Sequence, residues 1–175
     1  MTLGLPGTQG RRRIYLMRHG EVDYHFGGKG VADPDAVELT EKGRRQAALM
    51  GEALSDITFD ISAHTGLLRT KQTLNAALGG RDVPIEEIGT LREIKTGRFA
   101  ELTPERIEAE FVYGFETAHQ PGACFGGGEA FATFYKRIAD AMGALLVRND
   151  WTTALLVCHG GTNRAVLSWV THGGP

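Results

Sequence analysis

The chain has 175 residues, 42% of them hydrophobic and 23% charged, with a formal net charge of −2. This is ordinary globular composition, long enough for one α/β domain with its own core, and it offers no electrostatic basis for binding nucleic acid or acidic membranes. No stretch is long and apolar enough to span a bilayer. Residues 1–10 hold Gly, Pro, Thr and Gln without an apolar h-region, so they read as a flexible lead and not a signal peptide. A single domain is expected over 11–175. Arg11, Arg12 and Arg13 abut the first strand and read as a solvated approach to it.

That first strand is the apolar run Ile14 to Met17, broken at Gly20. Residues 22–38, with three glycines, Pro34 and several acids, read as a long loop. Thr40 is a candidate N-cap for a helix to about Ser55, with Ala47, Met50 and Leu54 on its apolar face. Phe59 to Ala63 is the second strand. The next helix opens near Thr65 and carries Leu67, Lys71, Leu74 and Leu78 at helical spacing; Val83 to Ile88 is the third strand. Thr103-Pro104-Glu105 predicts a helix to Val112, from a cap, a proline at its first position and an acid in its first turn. Pro121 to Gly128, with four glycines, separates it from a helix over Glu129 to Val147. Phe131, Phe134, Ile138, Met142 and Leu145 form the core stripe of that helix. Asn149-Asp150 turns the chain into a fourth strand, Thr153 to Cys158, and a last helix fills Asn163 to Val170. Strands alternating with helices predict a three-layer α/β/α fold around a mainly parallel sheet.

Two of these strands end alike, in Arg18-His19-Gly20-Glu21 and in His159-Gly160-Gly161-Thr162. Open α/β sheets bind ligands at the carboxyl ends of their strands, so two distant imidazoles can meet at one sheet edge. A guanidinium grips phosphate oxygens through a rigid fork, and a neutral imidazole can attack phosphorus. The cysteines, Cys124 in a Gly-rich loop and Cys158 in an apolar strand, form neither a disulfide framework nor a zinc pattern. A cytoplasmic protein is the default expectation. His25, His64, His119 and His172 lack metal-ligand spacing and read as surface or loop residues, with His25 a candidate for the rim of a pocket.

Four segments, in order, resemble the histidine phosphatase superfamily, the phosphoglycerate mutase-like fold. They are Arg18-His19-Gly20-Glu21; Thr65-Gly66-Leu67-Leu68-Arg69-Thr70-Lys71-Gln72-Thr73; Leu91-Arg92-Glu93 with Gly97; and Val157-Cys158-His159-Gly160-Gly161. The second departs from the family pattern, with Thr65 for the usual Ser and Gly66 for the usual Pro. Thr65 keeps a hydroxyl for capping, and Gly66 loses the stiffening of proline. The family fold continues with further strand, so the resemblance implies either a truncated sequence or an absent tail.

The resemblance implies a phosphatase without a metal or other cofactor, acting on a small phosphorylated substrate through a phosphohistidine. His19 would be the nucleophile and His159 the second imidazole. Arg18 and Arg69 would clamp the phosphoryl group, the amides of Gly20 and Gly160 would add donors, and Glu93 would be the general acid. Glu86, Glu87 and Glu101 are rivals that read as solvated carboxylates. Tyr24, Phe26, Tyr113 and Phe115 read either as an aromatic wall for an organic leaving group or as core packing. The alternatives are mutase-type phosphoryl transfer and a phosphate-binding module without catalysis. The segment from Gly97 to Gly128 is short for an enclosing mutase insertion, which favours hydrolysis.

Overall fold

The computed structural model describes residues 11–24, 34–97 and 113–172. The lead at 1–10, His25, Phe26, Glu101, much of the 22–38 loop and the helix expected over 103–112 lie outside them. The chain divides into two compact units, one of Met1–Gly89 with Val147–His159 and one of Thr90–Leu146 with Gly160–Pro175.

The first unit holds the sheet. Strands β1 (Arg13–Arg18), β2 (Ile61–His64), β3 (Ile85–Glu87) and β4 (Thr153–Cys158) lie in the order β1-β4-β2-β3, and every pairing is parallel. Central β4 is the most apolar strand, and Ala154, Leu155, Leu156 and Val157 are all fully buried. Burial on both faces is what a covered parallel sheet demands, and the fold class is the expected three-layer α/β/α. On one face Leu155 and Val157 pack with Phe59, Leu74 and Leu78, flanked by Tyr15, Met17 and Leu54. Each such side chain contributes about 1.5–3 kcal/mol by leaving water.

Helices α1 (Glu41–Ala53) and α2 (Leu68–Leu78) pack on one another in this unit. Thr40 caps α1 as expected, its hydroxyl accepting from Gly43 N at 3.0 Å. β2 begins at Ile61 and not Phe59, because the Asp60 carboxylate is drawn aside to accept from Thr152 N, Thr152 Oγ1 and Thr153 N at 2.7–2.8 Å. α2 begins at Leu68 and not near Thr65. Gly66 has φ +87°, a left-handed turn that proline cannot make. The N-cap position is Leu67, which offers no side-chain cap, so Thr65 is not the capping hydroxyl.

The second unit is built on α3 (Phe131–Leu146), whose expected stripe of Phe131, Phe134, Ile138, Met142 and Leu145 is wholly buried. It packs against α4 (Gly160–His172). That helix starts at Gly160, ahead of the expected Asn163, because Glu93 supplies the cap from far along the chain. Among the described residues no helix is long and apolar enough to cross a membrane.

Candidate active site

In the first unit, parallel pairing sets Arg18 beside Cys158, and His19 N donates to Cys158 O at 3.0 Å. The next residue on each strand is a histidine, so the ladder itself delivers two imidazoles to one edge. Their ring centroids lie 5.3 Å apart in an edge-on arrangement. Each follows an apolar strand that had to be buried.

The His19 ring is oriented by its own chain. Its Nδ1 stands 2.8 Å from Gly20 O. A carbonyl only accepts, so Nδ1 carries the proton and Nε2 keeps its lone pair. Burial holds the pKa of His19 down to about 4, from an ordinary 6.5; the Gly20 carbonyl opposes the shift, and the charges of Arg69 and then Arg18 add to it. The imidazole is therefore neutral at physiological pH, and both guanidiniums act on it. Arg18 is exposed at the end of β1, whereas Arg69 on α2 is only 6% exposed. The face of Tyr24 lies 5.9 Å from the Arg69 guanidinium carbon. Arg18, His19, Gly20, Glu21, Val22, Tyr24 and Gln46 line an open hollow of about 320 Å³, at the small end of ligand sites.

Gly20 and Thr73 lock this corner. The Gly20 amide, expected as a donor to ligand, instead donates to Thr73 Oγ1 at 3.0 Å, and Thr73 Oγ1 donates to Arg69 O at 2.7 Å. One buried hydroxyl thus ties the histidine turn to the helix that carries Arg69. Gly20 is also required sterically, because an added Cβ would land on the Gly43 carbonyl of α1. Gly20→Ala should cost about 1–3 kcal/mol, read as a lowered urea midpoint. An unchanged midpoint would contradict this packing.

His159 is 1% exposed, and its Nε2 lies 2.8 Å from Thr65 Oγ1. His64 corrects the surface reading made for it. It ends β2, is 8% exposed, and its Nδ1 accepts from Gly66 N at 3.0 Å. It stabilises the Gly66 turn, and burial lowers its pKa. His119 and His172 are exposed, as expected. Glu86 is not a solvated carboxylate but the bidentate partner of Arg148, with both contacts at 2.7 Å.

Glu93 belongs to the second unit, where its carboxylate accepts from Gly161 N at 2.8 Å, Thr162 N at 3.1 Å and Ile94 N at 3.0 Å. It thereby satisfies orphan amides at the first turn of α4. A Cβ on Gly161 would strike Glu93 Oε1, which accounts for the glycine. Arg137 holds the backbone beneath. Its Nη1 donates to Thr90 O and Arg92 O, both at 2.7 Å, and its Nη2 to Glu93 O at 3.0 Å. Nε and Nη2 also meet the two oxygens of Glu129 at 2.8 and 2.9 Å, so all five donors are used. Phe115 packs with Phe125 and Phe131 and under Arg164, so its role in this unit is packing. Sequence reading gave no role to Thr73 or Arg137; the signal for the first is that it closes the family-like segment beginning at Thr65. Among the described residues no group of three or more His, Cys, Asp or Glu could hold a metal.

Comparison with known proteins shows the family. The model of the histidine phosphatase superfamily, branch 1, matches residues 14–175. Phosphoserine phosphatase 1 of Hydrogenobacter thermophilus is 26% identical over 160 residues, 88% of this chain and 74% of its own length. An acid phosphatase of Mycobacterium tuberculosis is 31% identical over 159 residues, covering 90% and 75%. Among solved structures, Bacillus stearothermophilus YhfR superposes with a TM-score of 0.72 at 26% identity, over 93% of this chain and 80% of that one. The chain spans only about a third of other curated relatives, 33% of an Arabidopsis thaliana protein and 32% of a human one.

Proposed function

Because the chain belongs to the histidine phosphatase superfamily, branch 1, we propose that it is a metal-independent phosphatase that hydrolyses a small phosphomonoester through a phosphohistidine on His19. The observation that carries this reading is the 5.3 Å pairing of a neutral His19 with His159, under the charges of Arg69 and Arg18.

The steps follow from the chemistry of phosphoryl transfer, whose transition state spreads charge over three equatorial oxygens. Arg18 and Arg69 stay cationic throughout turnover and hold those oxygens. His19 Nε2 attacks phosphorus in line, and the P–O bond to the leaving group breaks. Glu93 gives its proton to the departing oxygen. Water then attacks the phosphohistidine, Glu93 takes its proton, and the P–N bond breaks to release inorganic phosphate and free His19. His159 holds a phosphoryl oxygen, and the amide of Gly160, next along the chain, adds a donor.

The test is hydrolysis of p-nitrophenyl phosphate in excess EDTA. Turnover should survive unchanged. Loss on chelation with recovery on adding metal would sink the proposal. So would turnover of 3-phosphoglycerate, with a bisphosphoglycerate primer, that releases no net phosphate. A second expectation concerns pH. The His19 ring, followed by NMR, should titrate near pH 4. The lowered pKa means the unfolded chain binds this proton first, so His19 costs stability as pH falls from 6.5 towards 4 and costs none above. A midpoint at 6 or higher would show that the ring is not buried as described.

A further inference from the structure

Gly66 creates a requirement that a proline would not. The chain turns left-handed here, at φ +87°, and keeps an amide N–H where proline would have none. An amide without a partner at a part-buried turn is costly. His64 meets the need, its Nδ1 accepting from Gly66 N at 3.0 Å across the single residue Thr65. The donor is a backbone amide, so the direction of this bond is fixed. Nδ1 is bare, and the proton of the neutral ring is on Nε2. The imidazole is carried by a strand pinned on both sides. His64 pairs in register with Val157 of β4 and with Glu87 of β3, and its carbonyl accepts from Ile88 N at 2.9 Å.

Two groups of the histidine corner depart from this turn. Thr65, just before Gly66, places its Oγ1 2.8 Å from His159 Nε2. Leu67, just after it, is the N-cap position of α2 and offers no side-chain cap. Arg69 follows in the first turn of that helix. We infer that His64 is a positioning residue for the phosphoryl site: its neutral imidazole latches the Gly66 turn, and so sets Thr65 on one side and Arg69 on the other. The effect on activity rests on the phosphatase reading; the latch does not. The latch also has a chemical release. A protonated Nδ1 is a donor, and two donors cannot share one bond, so acid opens it. Burial holds the pKa of the ring below its ordinary 6.5; Glu87 on β3 opposes the shift, and Lys71 on α2 adds to it. Val157, the neighbour on β4, carries no charge. The latch is therefore closed at neutral pH and opens on acidification.

The deciding measurement is NMR on the unaltered protein, taken from neutral to acidic pH. The ¹⁵N shifts of the His64 ring should show a bare Nδ1 at neutral pH. The Gly66 amide resonance should then move in step with the titration of that ring. A proton on Nδ1 at neutral pH overturns the latch, and so does a Gly66 amide indifferent to the titration; neither result depends on a variant folding. For turnover of p-nitrophenyl phosphate, His64→Leu removes the acceptor and should lower kcat/KM roughly tenfold. His64→Asn should restore it to within about twofold, because its Oδ1 stands where Nδ1 does and accepts at any pH. The asparagine enzyme should also keep activity on the acid side where the unaltered enzyme loses it. His19 titrates in both enzymes, so the difference between the two profiles belongs to His64. A leucine enzyme with unchanged kcat/KM overturns the positioning role, as do coincident acid limbs for the asparagine and unaltered enzymes. A closed latch in a protein without phosphatase activity would instead defeat the functional reading and leave the latch standing.

Discussion

His19→Ala should abolish phosphomonoester turnover, by roughly 10⁴-fold or more, since nothing else in the described first unit pairs a lone-pair nitrogen with two guanidiniums. The loss should fall on kcat, because Arg18 and Arg69 still bind the phosphoryl group. The expected stability change is small or favourable, because a half-buried ring that resists protonation is removed. Chemistry gives an independent check. Brief exposure of the unaltered enzyme to labelled substrate should leave acid-labile, alkali-stable phosphate on the protein, and the alanine variant should carry none. Residual turnover above about one per cent of the unaltered rate would mean that another group is the nucleophile.

Arg137→Ala is expected to be the most damaging change outside the histidine corner. The guanidinium side chain is 23% exposed and its partner Glu129 only 11%. Deleting it takes the counter-charge from the Glu129 carboxylate, which keeps the Lys95 amide, and removes a donor from each of three backbone carbonyls, at a cost of about 2–4 kcal/mol. For a chain of this size, that corresponds to a fall in Tm of roughly 6–12 °C. Activity should fall too, in the proportion that Glu93 loses its footing. Arg137→Lys should recover little, because an ammonium has three donors without the planar fork that five acceptors here require. A Tm within two degrees of the unaltered protein for both variants would show that the 90–93 segment is held by other contacts.

Sequence reading recovered the parts of this molecule that local pattern specifies. An apolar run followed by glycine marked both histidine strand ends, and period-3.6 spacing marked every buried residue of the α3 stripe. The family motif placed Arg69 on α2, where taken alone it would read as an ordinary surface arginine. What stayed illegible depends on partners remote in the sequence. Thr65 looks like an N-cap until its hydroxyl is seen turned to His159. The start of α4 was misplaced because its cap, Glu93, lies 68 residues away from Gly161. Arg137 sits between Lys136 and Ile138 and resembles any solvated helix arginine, since all five of its acceptors come from residues 90–93 and Glu129. His64 was misjudged because β2 runs one residue past the expected Ala63, carrying the ring inside. The strand order, too, was not derivable from alternation alone.

The position of β4 between β1 and β2 has a consequence for how the protein is made. It is the last of the described strands to leave the ribosome, yet β1 and β2 both pair with it. Until residue 158 has emerged, β1 has no hydrogen-bonded neighbour among the described strands and β2 has only the three residues of β3. The sheet cannot close progressively from its amino end. Assembly of the described sheet must await the synthesis of β4, and a nascent chain halted before β4 exposes open edges on β1 and β2 to whatever chaperone or neighbour meets it first.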